Sequence, residues 1–173
     1  MSIKLINDSC LNQKVDAIVN AANKHLLAGG GICGAIYKQA GYDELNKSCE
    51  KYNTPLNDGD AVITPAFNIT NAKYIIHAVG PDFNKSTSNI QNLFKAYYNS
   101  LIVLKDNNLH SISFPLISSG IFGGNLENPV ETSTRECLNA YNTFINTFKD
   151  YNIEVILCAY TKEEYQKSLI LFP

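Results

Sequence analysis

Asp16-Ala17-Ile18-Val19-Asn20-Ala21-Ala22-Asn23 is followed two residues later by Leu26-Leu27-Ala28-Gly29-Gly30-Gly31-Ile32-Cys33-Gly34-Ala35-Ile36. The first segment is a short apolar run ending in asparagines, the pattern of a buried strand. The second is a triple glycine opening onto a helical pattern, with Ile32, Ala35, Ile36 and Ala40 on one face and Gly41 as its stop. Three consecutive glycines cost conformational entropy in a folded chain. In return the backbone can come close to a ligand, and free N–H groups at a helix N-terminus suit an anion.

Outward from this unit the alternation repeats. Further strand-like runs fall at residues 3–6, 61–64, 74–79, 111–117 and 153–160. The last three are almost continuously apolar, as expected of strands covered on both faces. Between them, Ile90, Leu93, Phe94, Tyr97, Leu101 and Leu104 keep helical spacing and predict an amphipathic helix over 88–105. Cys137, Tyr141, Phe144, Ile145 and Phe148 do the same over 130–148, with Pro129 suited to a first turn. Residues 42–51 and 163–171 read as shorter helices. Strands alternating with helices predict an α/β fold: a three-layer α/β/α sandwich with a mixed, largely parallel sheet, as one domain over 1–173.

Composition narrows the function. The 173 residues are 45% hydrophobic and 17% charged, which excludes wholesale disorder. No apolar run approaches the roughly 18–20 residues needed to cross a bilayer, so no membrane role is expected. The first residues, Met1-Ser2-Ile3-Lys4-Leu5, show no secretory pattern, and a cytoplasmic location is the expectation. Five cysteines at irregular spacings, with no C-x-x-C pair and scattered His25, His77 and His110, predict reduced, buried thiols and no metal site. The net charge is −2 and Arg135 is the only arginine, which argues against a nucleic-acid partner. Phosphate recognition would therefore fall to backbone N–H groups.

Gly29-x-Gly31-x-x-Gly34 formally matches a dinucleotide fingerprint. Its first glycine, however, does not directly follow the strand: residues 21–28 intervene, and residues 42–51 read as helix where an acidic strand end should lie. No Walker-type G-x-x-x-x-G-K-[ST] is present. A second glycine loop does occur, Phe114-Pro115-Leu116-Ile117-Ser118-Ser119-Gly120-Ile121-Phe122-Gly123-Gly124, again after a buried strand and ahead of a helix. In parallel sheets ligands bind beyond the carboxyl ends of the strands, so two such loops at one edge can hold a diphosphate between them. Phe122, between glycines, reads as a cover for a sugar or base.

Taken in order, V-x-A-I-V-N-A-A-N, G-G-G-I-x-G-A-I, Ile76-His77-Ala78-Val79-Gly80-Pro81 and Pro-x-I-S-x-G-I-F-G resemble the macrodomain family over roughly residues 5–160. The resemblance implies binding of ADP-ribose and, in many members, its removal from modified proteins, with no cofactor. Asp8 matches the residue that accepts from the adenine amino group, with Ser9 beside it; a turn or cap role is the alternative. Asn23 matches the asparagine that orients the distal ribose, and Asn20 and Ala22 support that loop. Gly29, Gly30, Gly31 and Ile32 match the first phosphate loop and Ser118, Ser119, Gly120, Ile121 and Phe122 the second, with Cys33 and Gly123 beside them also expected to bind the ligand. Tyr160 matches a position near adenine or a core-edge tyrosine, and His77 reads as structural.

Two departures from the MacroD-type hydrolases stand out. Cys33 replaces an acidic residue and Tyr37 a histidine, both expected beside the distal ribose. Similar viral macrodomains with a small residue or cysteine there retain hydrolysis. The leading expectation is hydrolysis of mono-ADP-ribose esters on Asp or Glu, or deacetylation of O-acetyl-ADP-ribose, with Asn23, Gly31 and Phe122 as the catalytic set. The route would be substrate-assisted, a phosphate oxygen holding water at the anomeric carbon. Cys33 as a covalent nucleophile, a non-catalytic reader of ADP-ribosylated proteins, and a fold tuned to another nucleotide or RNA are the alternatives. The partners expected are ADP-ribose and mono-ADP-ribosylated proteins, the chain acting as a monomer.

Overall fold

The computed structural model describes residues 1–173. Six strands form one sheet: β1 (Ser2–Ile6), β2 (Ala17–Ala22), β3 (Ala61–Pro65), β4 (Tyr74–Val79), β5 (Ser111–Pro115) and β6 (Glu154–Cys158). Their order across the sheet is β1-β6-β5-β2-β4-β3, and only β3 runs antiparallel. The helices are α1 (Gly31–Ala40), α2 (Tyr42–Cys49), α3 (Ile90–Asp106), α4 (Pro129–Thr147) and α5 (Lys162–Leu169).

Alternation along β2 builds both cores. Ala17 and Val19 face Leu93, Tyr97 and Phe144 of α3 and α4, while Ile18 and Ala22 face Ile36, Tyr37 and Leu45 of α1 and α2. Both faces are thus covered, which explains the lack of polar alternation in β4. Truncating a buried Phe114 or Phe144 to alanine should cost about 3–5 kcal/mol.

The expected strand at 111–117 stops at Pro115. Proline has no N–H for the ladder, and Ile117 N–H donates instead to the Tyr97 hydroxyl at 2.9 Å. The expected strand at 153–160 closes at Cys158, leaving Tyr160 exposed. Asn89 and Thr161 cap α3 and α5 by accepting from Asn92 N and Glu164 N, so both helices begin close to their sequence positions.

This topology sets the rim. The carboxyl ends of the five parallel strands lie along one edge. Because β3 is antiparallel, its amino end arrives there too: Gly59 N–H donates to Val79 O at 2.7 Å and Val79 N–H to Asp60 O at 2.9 Å.

Candidate functional site

The first loop leaves β2 at Asn23. Its Oδ1 accepts from His25 N and Leu27 N, each at 3.1 Å, and its Nδ2 donates to Leu27 O at 2.7 Å. The expected amide that both donates to and accepts from a ribose is therefore mostly committed to shaping its own loop. One Nδ2 hydrogen remains for a ligand. Beneath it, Asn20 is buried, its Nδ2 pairing with His77 Nδ1 at 3.1 Å while His77 Nε2 pairs with Thr64 Oγ1 at 2.9 Å. With burial holding the His77 pKa down to about 3, the ring is neutral, so it accepts from Asn20 and donates to Thr64. Asn20 braces the loop from inside the sheet.

Gly30 caps α1 with an extended backbone, and Gly31 has φ +56°, a conformation that favours glycine. None of the N–H groups from Gly29 to Cys33 donates within the protein. In the second loop the same holds from Ser118 to Phe122. Gly29, Gly30, Gly31, Gly120, Ile121 and Phe122 are exposed, so their unpaired N–H groups are open to solvent or to an anion. A Cβ added at Gly30, Gly31 or Gly120 meets nothing within 4 Å. Those three glycines face open space, and all lie in the two loops.

Side chains of the second loop turn inward. Ser118 Oγ donates to Pro81 O at 2.7 Å and Ser119 Oγ to Leu116 O at 3.1 Å, so both serines offer a ligand only their N–H groups. Gly123 is a packing glycine, since a Cβ there would stand 2.8 Å from Pro129 Cβ. Ile121 and Phe122 are the exposed pair, at 89% and 37%. Phe83 N–H donates to Phe122 O at 2.8 Å and Asn84 Nδ2 to Ile121 O at 2.7 Å, pinning this turn to the segment after β4.

At the far end of the rim, Asn7 Nδ2 donates to Ala159 O at 2.9 Å and Tyr160 O at 3.1 Å. This ties Tyr160 next to Asp8. The Asp8 carboxylate accepts from Ser9 N at 2.7 Å and from Asn12 and Gln13 side chains, and these bonds hold its pKa below the usual value. Its role as a turn acceptor is thus present, on an exposed residue.

At the near end lies a hollow of about 240 Å³ lined by Asn23, Phe122, Lys24, His25, Asp58 and Asp82, with Lys85 at its mouth. The structure brings Asn23 and Phe122 together here. The charged residues have no sequence signature, because they come from three separate loops that only the topology unites.

The Macro domain family model matches residues 19–133. The chain belongs to the macrodomain family. This macrodomain is 40% identical to the Macro domain-containing protein TTE0995 of Caldanaerobacter subterraneus subsp. tengcongensis, across 95% of this chain and 98% of that protein. It is 35% identical to the ADP-ribose glycohydrolase MACROD1 of Bos taurus, over 94% of this chain and 48% of MACROD1. Among solved structures, a Trypanosoma brucei macrodomain in complex with ADP-ribose superposes with a TM-score of 0.84 at 29% identity, covering 98% of this chain and 68% of that one.

In this macrodomain the two departures do not face the cleft. Cys33 is buried, its Sγ donating to Leu27 O at 3.6 Å, and Tyr37 is fully buried with its hydroxyl donating to Leu26 O at 2.7 Å. Helical period explains this: four residues apart, both lie on the core face of α1. The nucleophile alternative fails on the same ground. Burial raises the Cys33 pKa, outweighing the lowering by the Asn20 side chain and the Gly29 backbone, and the thiol stays protonated near neutrality.

Proposed function

We propose that this macrodomain binds ADP-ribose along the rim and hydrolyses mono-ADP-ribose esters on Asp or Glu side chains, or deacetylates O-acetyl-ADP-ribose. The observation that carries the reading is the pair of glycine loops after β2 and β5, Gly29 to Cys33 and Ser118 to Phe122, whose N–H groups have no backbone acceptor. They match a diphosphate in charge and donor count without any arginine. Asp8 and Tyr160 bound the end suited to adenine, and Asn23 and Phe122 the end suited to the distal ribose. The likeness to an ADP-ribose glycohydrolase supports the hydrolytic step.

The chemistry is chiefly positioning. The loops bend the diphosphate so that one of its oxygens holds a water against the anomeric carbon. The spare Nδ2–H of Asn23 fixes a ribose hydroxyl, and Phe122 confines water and sugar. Gly31 contributes an N–H and a backbone without a side chain in the way.

A non-catalytic reader is the second reading. The absence of a carboxylate and a histidine at Cys33 and Tyr37 favours it, since the structure turns both side chains into the core. A de-ADP-ribosylation assay on an acidic-residue-modified protein, beside a calorimetric titration with ADP-ribose, separates the two. The hydrolase reading expects binding with release; the reader expects binding alone.

A further inference from the structure

The proposed hydrolysis leaves one proton to place. The water oxygen forms the new bond to the anomeric carbon, the bond from that carbon to the acyl oxygen breaks, and the carboxylate departs with the electron pair. The remaining proton of the attacking water needs an acceptor. A diphosphate oxygen positions water well but is a far weaker base than a carboxylate. We propose that Asp58 takes this proton, and that Lys24 and Lys85 receive the departing carboxylate. This rests on the ADP-ribose reading above.

Three aspartates stand near the ribose end of the rim, and two of them already accept hydrogen bonds through one oxygen. Asp60 Oδ2 accepts from Asn57 N at 2.8 Å, shaping the turn into β3. Asp82 Oδ1 accepts from Asn84 N at 3.0 Å and Asn84 Nδ2 at 2.8 Å. Asp58 is half-buried, lines the hollow with Asn23 and Phe122, and forms no side-chain hydrogen bond or ion pair. Of the three, Asp58 is the carboxylate in this hollow with no hydrogen bond of its own, and so with both oxygens open to a proton.

Topology holds it there. The antiparallel direction of β3 delivers the preceding loop to the rim, and Gly59 N–H to Val79 O fixes the residue next to Asp58. On the other side, Leu56 N–H donates to Lys24 O at 2.8 Å, tying the Asp58 loop to the loop of Asn23. A carboxylate is thus supplied to the ribose end from β3, where the α1 position holds a buried cysteine.

The groups facing Asp58 are Lys24 and His25 from the first loop, and Asp82 and Lys85 from the segment after β4. Neither lysine has an ion-pair partner; the two ion pairs of the molecule, Lys105–Asp106 and Lys167–Glu163, lie elsewhere. Two unpaired ammonium groups lining the same hollow suit a leaving group that becomes an anion. This fits the acyl ester already proposed as substrate, whose leaving group is a carboxylate.

The test compares wild type with Asp58→Asn, Asp58→Glu and His25→Ala on an ester-linked ADP-ribosylated protein, with ADP-ribose affinity measured in parallel. Asp58→Asn should lower kcat at least about 100-fold, a general-base contribution, leave ADP-ribose affinity nearly unchanged, and abolish the acid limb of the pH–rate profile. Asp58→Glu should restore that limb and part of the rate. Turnover near wild type in Asp58→Asn, or an acid limb lost in His25→Ala and kept in Asp58→Asn, overturns the assignment while leaving the ligand reading intact. Wild-type binding without release also overturns it, and absence of ADP-ribose binding overturns both.

Discussion

Two hollows lie at opposite edges of the same sheet. The one at the amino ends of β2, β4 and β5 encloses about 350 Å³, with Lys14, Asp16, Asn71, Lys73 and Ser111 in its lining. The one at the carboxyl rim is smaller, about 240 Å³. Size points to the first and chemistry to the second. At the amino edge the carboxylate and the amide are consumed internally, with Lys14 and Lys73 unpaired: Asp16 Oδ2 accepts from His110 N and Ser111 N, and Asn71 Nδ2 donates to Leu11 O and Gln13 O. At the rim the corresponding groups are left free: backbone N–H groups, one asparagine hydrogen and the Asp58 carboxylate. Unspent hydrogen-bonding capacity, rather than volume, separates a site from a structural gap.

The sharpest way to break this contrast is to damage the rim while sparing the fold. Asn23→Ala removes both the loop brace and the spare N–H. Turnover should fall about 100-fold, the scale expected for lost substrate positioning, and ADP-ribose affinity should fall less. Paired kcat and calorimetric measurements check this, and equal losses would make Asn23 a binding residue only.

Between the two edges runs the Thr64–His77–Asn20 relay, which should respond to acid. The native state keeps His77 neutral down to about pH 3, whereas the unfolded chain takes up a proton near 6.5. The unfolded state therefore binds more protons in that window, and stability falls as pH drops through it. The slope from this residue alone is about 1.4 kcal/mol per pH unit. Denaturant unfolding at pH 7, 5 and 4 should show this dependence, weakened in His77→Gln.

Smaller effects are expected where groups are already buried or spent. Cys33→Ala should change turnover by less than about 3-fold, since a protonated buried thiol adds little to substrate or transition-state contact. A covalent adduct at Cys33 by mass spectrometry would contradict this. Lys73→Ala, at the larger hollow, should leave ADP-ribose affinity unchanged in the same titration.

The layered fold was legible because period and punctuation agreed: buried runs before glycine loops, capped amphipathic helices between them. The two glycine loops were legible for the same reason, each standing between a buried strand and a helix. Side-chain direction was not. Cys33 and Tyr37 carry a motif's positions, yet helical phase turns them into the core, and the Ser118 and Ser119 hydroxyls satisfy nearby carbonyls. Gly123 looked like part of the loop but is demanded by Pro129. Asp58, Lys24 and Lys85 were missed because nothing local marks them. Only the reversed direction of β3, and the hydrogen bond from Leu56 to Lys24, bring them to the ribose end.

The central claim is that backbone N–H groups of two loops hold the diphosphate. Amide-resolved NMR titration with ADP-ribose tests it directly. The account predicts the largest perturbations at Gly29 to Cys33 and Ser118 to Phe122, saturating together. Shifts confined to the amino edge around Lys14 and Ser111, or silence in both loops at saturating ligand, would contradict it.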